Sequence, residues 1–93
     1  MLLLKNIKSK FIKSESLFKE FIKNNNINIK EINKYDFDML IYAIENAFSS
    51  EFIKYIIDIF DYKNFNYSVN NQSPLMACIS NNNFEIDDLL KRS

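Results

Sequence analysis

The chain of 93 residues contains no glycine, no histidine and no tryptophan, and it has one proline and one cysteine. Without histidine, the commonest general base and metal ligand is missing. Without glycine, the chain has no phosphate-cradling loop of the usual kind. We therefore expect a protein that is not an enzyme, with no catalytic residues, no metal, no cofactor and no small-molecule substrate.

Charge and cysteine content limit the partners and the compartment. The formal net charge is zero, which argues against a general binder of nucleic acid. One cysteine cannot form an intrachain disulfide, and this fits a reducing compartment, so we expect a cytoplasmic location. The apolar stretch Met1–Leu4 is followed at once by Lys5. It is too short for a signal-peptide core or a membrane span, so we expect neither.

An internal repeat organises the chain. Three segments align without gaps at a spacing of 34 residues, and they are 17–23, 51–57 and 85–91. Their shared apolar offsets are i, i+3 and i+4, which is one face of a helix. A second pair of segments, 38–47 and 73–82, aligns at a spacing of 35 residues with helical offsets as well. The repeat therefore predicts units that each contain two short helices.

The segment "SPLMACIS" predicts the start of the first helix in the last unit. Ser73 is a good N-cap, and Pro74 is a good first helical residue because its missing N–H has no partner there. We expect this helix to run to about Ser80. Asp38 holds the corresponding N-cap position in the preceding unit.

The asparagine triplet 81–83 predicts the turn between the two helices of the last unit. Asparagine tolerates left-handed backbone better than most residues, so it can replace glycine there. We expect Asn82 to cap the second helix, with Glu85 as its reciprocal partner. In the preceding unit, Ser49 or Ser50 takes this role.

The stretch "SPLMACISNNNFEIDDLL" resembles an ankyrin repeat, whose pattern is T-P-L-H-x-A-A, x-x-G-H and x-E-I-V-x-L-L. The middle unit matches this pattern more loosely, and the first unit shows only its second helix. The resemblance covers roughly residues 14–93. Met76 replaces the motif histidine, Asn82 the glycine and Asp87 the inward valine. The histidine–threonine hydrogen bonds usual between such repeats are therefore unavailable, and we expect lower stability than in a consensus array.

The resemblance implies an all-α fold, an ankyrin-like helical repeat solenoid of about three helix–turn–helix units joined by hairpin-like loops. It implies one domain over residues 1–93, with units at about 1–33, 34–67 and 68–93, as part of a longer array. Apolar repeat positions should form the core, and they are Leu75, Cys78, Ile86 and Leu89.

The resemblance also implies a protein-interaction module that grips a protein partner with its hairpin tips and the exposed faces of its first helices. The matching positions are Lys34, Tyr35, Phe37, Glu45, Asn46, Val69, Asn70, Gln72, Ser80 and Asn81. Tyr35 and Phe37 either anchor the partner, because aromatic residues dominate binding hot spots, or pack between the connections.

Two other functions remain open from the sequence. The chain is either such a module or a structural, truncated fragment of a longer array with no partner of its own. A capping repeat is one form of that fragment, with Asp87 and Asp88 on a polar outer face. Residues 1–13 form either the first helix of the first repeat or a basic amphipathic helix on an anionic membrane.

Overall fold

The computed structural model describes residues 15–92, which contain five α-helices, one short 3-10 turn and no strand. The helices are α1 (Glu15–Asn24), α2 (Met39–Glu45), α3 (Ser50–Ile59), α4 (Pro74–Ser80) and α5 (Phe84–Lys91), and the 3-10 turn is Ile29–Glu31. The predicted all-α repeat fold is confirmed. The helix predicted within residues 1–13 lies outside the described residues.

The helices pack in two rows. The first helices of two successive units, α2 and α4, lie side by side, and the second helices α1, α3 and α5 contact one another in chain order. Phe18, Phe52 and Ile86 hold the same repeat position in these second helices, and each side chain is completely buried. The rings of Phe18 and Phe52 are 5.6 Å apart. The repeated apolar face is therefore the core that joins the units.

The helix starts follow the predicted caps, with one exception. The side chains of Asp38, Ser49 and Ser73 each accept a hydrogen bond from the backbone N–H three residues later, at 3.0–3.1 Å. The prediction that Asn82 caps α5 is wrong. Asn83 is the cap and accepts from the N–H of Ile86 at 3.2 Å. Asn82 has a φ of 55° because the preceding helix requires a left-handed residue at that position.

Four helices end in a Schellman motif built without glycine. The left-handed residues are Asn26, Ala47, Asp61 and Asn82, with φ between 52° and 56°. After α4, for example, the N–H of Asn82 donates to the carbonyl of Ile79 and that of Asn83 to the carbonyl of Cys78. Glycine is usual at this position because other residues strain there. Alanine has no side-chain polar group to offset the strain, so Ala47 is the least suitable of the four.

Two predicted core residues are less buried than expected. Cys78 and Ile86 are completely buried, as predicted, but Leu75 and Leu89 are only partly buried. Leu90 is 4% exposed and is the leucine of α5 that lies in the core. It lies four residues after Ile86, so both side chains share one face of α5, whereas Leu89 lies at the edge of that face.

The two aspartates of α5 do not share an outer face. Asp87 is 9% exposed, and its Oδ2 pairs with Lys91 Nζ at 3.0 Å. Within residues 15–92, its buried Oδ1 has no hydrogen-bond partner. Asp88 is exposed and pairs with Arg92 at 2.6 Å. Of the polar cap envisaged from the sequence, only Asp88 therefore lies at the surface.

The burial of α5 gives a prediction about its two leucines. Leu90→Ala should lower the free energy of unfolding by about 2–5 kcal/mol, the range for a fully buried leucine. Leu89→Ala should cost less than half of that, because its side chain is partly in water already. Urea denaturation of both variants measures the difference. Equal losses would mean that the two side chains contribute equally to the core.

The left-handed alanine gives a second prediction. Ala47→Gly should raise the free energy of unfolding by about 1 kcal/mol, because glycine adopts positive φ without strain. Ala43→Gly is the matched control, since Ala43 is completely buried inside α2. That change should lower stability, as glycine does in a helix interior. Thermal melting of both variants checks this, and a destabilised Ala47→Gly would contradict it.

Candidate protein-binding surface

Two tight hairpins precede the first helices. The N–H and carbonyl groups of Lys34 and Phe37 bond to each other at 2.8 and 3.1 Å, and those of Val69 and Gln72 at 2.8 and 3.0 Å. Asn70 and Asn71 at the tip of the second hairpin have φ values of 53° and 66°. Positive φ at both central residues is the geometry of a type I′ turn, which asparagine tolerates without glycine.

A groove of about 230 Å³ lies between these hairpins and helix α2. Its lining residues are Asp36, Phe37, Asp38, Ile41, Tyr42, Glu45, Val69, Asn70 and Gln72. Two hydrogen bonds cross from the second hairpin to the middle unit. Asn70 Nδ2 donates to the carbonyl of Asp36, and Gln72 Nε2 donates to Glu45 Oε2, both at 3.2 Å. These bonds set the spacing of the two walls.

Five of the ten predicted site residues line the groove, and they are Phe37, Glu45, Val69, Asn70 and Gln72. The other five are exposed but do not line it, and they are Lys34, Tyr35, Asn46, Ser80 and Asn81. Among the large hydrophobic side chains of residues 15–92, Tyr35 is the most exposed, at 93%. The structure thus brings half of the predicted residues together and leaves the rest around them.

The position of Phe37 bears on the expectation that its side chain anchors a partner. Its side chain is only 6% exposed, and its ring centroid is 5.5 Å from that of Tyr42 on α2. Of the two alternatives left open by the sequence, a packing role agrees with this burial, although the ring packs on helix α2. The ring lines the groove from this buried position, as part of its floor.

Asp38 lies at the base of the groove and is 7% exposed. Its Oδ2 accepts from the N–H of Ile41 and from the hydroxyl of Tyr67, both at 3.0 Å. Its Oδ1 accepts from the hydroxyl of Tyr62 at 2.9 Å. The rings of the two tyrosines stack with centroids 6.0 Å apart. A buried carboxylate needs such donors, because burial without them is costly.

Asn33 completes this network from the preceding connection. Its Nδ2 donates to the hydroxyl of Tyr62 at 2.9 Å, and its Oδ1 accepts from the N–H of Met39 at 2.7 Å. The N–H of Leu40 also donates to the Tyr62 hydroxyl, at 3.2 Å. We call Asn33, Asp38, Tyr62 and Tyr67 the Asp38 cluster. Only Asp38 has a local sequence signature, that of an N-cap, so the other three members were not predicted from the sequence.

The environment keeps both tyrosines of the Asp38 cluster protonated. Burial raises the pKa of Tyr62, and the negative charge of Asp38 raises it further. Burial also raises the pKa of Tyr67, with further contributions from Tyr62 and Asp38. A protonated hydroxyl is what Asp38 requires, since an ionised phenolate cannot donate. The cluster therefore holds the connection after α3 to the start of α2, beneath the groove.

The thiol of Cys78 is buried. Burial, and then the negative charge of Asp87, raises the pKa of the Cys78 thiol to about 11, so it stays in the less nucleophilic thiol form. Among residues 15–92, no group of three acidic or cysteine side chains could hold a metal ion. In the same range, no helix is both long and apolar enough to cross a membrane.

Comparison with known families supports the sequence-based resemblance. A family model described as ankyrin repeats, in three copies, matches residues 7–92. The match covers all the hairpins and helices described above. No curated protein and no solved structure matches the chain.

The Asp38 cluster gives a prediction about alkaline pH. Unfolded tyrosine ionises at about pH 10, whereas raised pKa values keep Tyr62 and Tyr67 protonated in the fold. Their contribution to the free energy of unfolding is therefore complete below about pH 10 and is lost as the pH rises beyond it. Urea denaturation at a series of pH values should show this decline in the native protein.

Two variants test this prediction, and each lacks one tyrosine hydroxyl of the native protein. Tyr67→Phe should lower the free energy of unfolding at neutral pH by about 2 kcal/mol, because Asp38 loses a buried donor. It should also show a shallower decline above about pH 10. Tyr35→Phe is the control, since Tyr35 is 93% exposed, and it should match the native protein. A Tyr67→Phe variant with native stability would show that the hydroxyl does not support the carboxylate.

Proposed function

Because the chain belongs to the ankyrin repeat family, whose members generally act as protein–protein interaction modules, we propose that it binds a protein partner through the groove and the hairpin tips around it. The observation that carries this proposal is the meeting of five predicted contact residues in one groove. The family is typically non-enzymatic, which agrees with a binding role.

The hairpin tip beside the groove carries an aromatic side chain that is almost fully exposed to solvent. Tyr35 is 93% exposed, whereas the neighbouring Phe37 is buried in the groove floor. An exposed tyrosine offers a large, rigid surface at low entropic cost, and tyrosine is enriched at hot spots. Tyr35 is therefore the anchor that we propose, with Phe37 supporting the hairpin from beneath.

The charges of the groove favour one kind of partner segment. Three carboxylates line it, on Asp36, Asp38 and Glu45, and none of the lysine or arginine residues within 15–92 does. The carboxylate of Asp38 already accepts three hydrogen bonds within the chain. Asp36 and Glu45 are therefore the acidic residues of the groove that are exposed. A segment with a basic side chain complements them, and such pairing raises the association rate at low salt.

The test begins with photo-crosslinking in the intact protein. A photoreactive phenylalanine analogue at position 35 should capture a specific partner from cell extract, and the same probe at Glu20 should not. Glu20 is exposed on α1, in the row of second helices. Tyr35→Ala should then weaken binding of the purified partner about thirtyfold, the loss of a hot spot of about 2 kcal/mol. Isothermal calorimetry measures this.

The controls separate a binding role from a purely structural one. Tyr35→Ala should melt at the native temperature, because its side chain makes no contribution to the core. Glu45→Gln should reduce the salt dependence of binding without unfolding the protein. If no partner is captured at position 35, or if Tyr35→Ala and Glu45→Gln bind as the native chain does, the proposed surface is wrong. The first result would favour the alternative of a structural fragment with no partner of its own.

A further inference from the structure

The groove between the two hairpins lies between neighbouring units of the array and not at its end. One wall is the hairpin and helix α2 of the middle unit, and the other wall is the hairpin of the last unit. Asn70 and Gln72 tie the second wall to Asp36 and Glu45 of the first by hydrogen bonds. Both walls belong to described units, so the groove is a surface of the assembled repeat.

The size and floor of the groove suit one long side chain. Its volume is about 230 Å³, whereas sites for drug-sized ligands measure about 300–1,000 Å³. Phe37 and Ile41 in the lining are 6% and 5% exposed, and Tyr42 and Val69 are partly buried. The buried part of the lining is thus largely apolar and aromatic, and it fits a side chain with an apolar stem.

Two exposed carboxylates, on Asp36 and Glu45, line the same groove. Asn70 bonds to the backbone carbonyl of Asp36, and Gln72 bonds to one carboxylate oxygen of Glu45. A carboxylate has about four sites for hydrogen-bond donors, so both side chains retain the capacity to accept from a ligand. The groove therefore combines an aromatic floor with acceptors for a cation.

This combination is particular to the middle unit. Tyr42 and Glu45 precede Ala77 and Ser80 of the last unit by 35 residues. These counterparts carry neither a ring nor a charge, yet helix α4 forms and packs beside α2. The helical repeat itself therefore does not require a tyrosine and a glutamate at these positions.

We propose that the groove receives one arginine side chain of the protein partner, an inference that rests on the binding role proposed above. The planar guanidinium group donates to carboxylates in a fixed fork and stacks on aromatic faces, which the compact ammonium group of lysine does less well. Asp36 and Glu45 accept its hydrogen bonds, and Tyr42 offers the ring. Val69 lies beside the aliphatic stem.

The arginine belongs to a peptide chain and is not the free amino acid. Free arginine carries an α-carboxylate, which the carboxylates of Asp36 and Glu45 repel. In a peptide this group is an amide, so only the positive charge enters the acidic groove.

NMR titration of the intact protein tests the inference with three capped tripeptides, in which arginine, lysine or citrulline stands between two serines. The arginine peptide should shift the backbone amide signals of Ile41, Tyr42 and Glu45 saturably. It should bind about tenfold more tightly than the lysine peptide. Citrulline has the shape of arginine without its charge, and its peptide should not bind at the same concentrations. Free arginine should bind more weakly than the capped arginine peptide.

Two double variants locate the site. Asp36→Asn with Glu45→Gln should weaken binding of the arginine peptide about tenfold, because both acceptors lose their charge. Glu20→Gln with Asp58→Asn is the matched control, since it removes the same charge from exposed positions on α1 and α3. The control should bind the peptide as the native protein does. Both variants should keep the native melting temperature.

Three results would overturn the inference. The first is an arginine peptide that causes no saturable shift at millimolar concentration. The second is equal binding of the arginine peptide and either the lysine peptide or free arginine. The third is a groove variant that binds no more weakly than its control. Capture of a partner at position 35 does not depend on these peptides, so failure of the arginine site is distinguishable from failure of the binding role.

Discussion

The carboxylate of Asp38 is the point on which the arrangement of the two units depends. It is almost completely buried, and it satisfies both oxygens with one backbone N–H and two tyrosine hydroxyls. A buried charge that loses its donors costs several kcal/mol. Helix α2 can therefore start where it does only if the connection after α3 brings Tyr62 and Tyr67 back to it. The hairpin and the groove floor rest on the same residue, since Phe37 directly precedes Asp38.

The absence of glycine is solved locally and repeatedly. Asparagine, aspartate and one alanine take the left-handed positions that end four helices, and two asparagines form the tip of the second hairpin. Each of these residues costs more than glycine would in the folded state, but each also has less freedom in the unfolded chain. The asparagine-rich composition is thus part of how the repeat turns. Because Asn82 takes the left-handed position after α4, the N-cap of α5 is Asn83 and not Asn82 as predicted.

Local patterns were enough to predict the helices, their spacing and most of their caps. The 34-residue alignment placed Phe18, Phe52 and Ile86 at one repeat position, and all three are buried. The errors concern which face of a helix a residue occupies and which residues far apart in the sequence contact each other. One residue of helical rotation separates Leu89 from Leu90, and periodicity alone does not resolve it. The Asp38 cluster joins side chains 24 to 29 residues apart, and such pairings leave no short-range pattern. Half of the predicted contact residues form the groove, but the sequence did not show that Phe37 is its floor.

Repeat arrays can fray from their ends, because each unit contacts only its neighbours. The tyrosines of the Asp38 cluster lie in the connection that leads into the last unit, yet their hydroxyls are bound at the start of the middle one. Detachment of this connection would leave a buried carboxylate without two donors. Opening of the last unit is therefore coupled to opening of the middle unit. Backbone amides on both sides of the connection, in α2 and in α4, should exchange with solvent in one cooperative step.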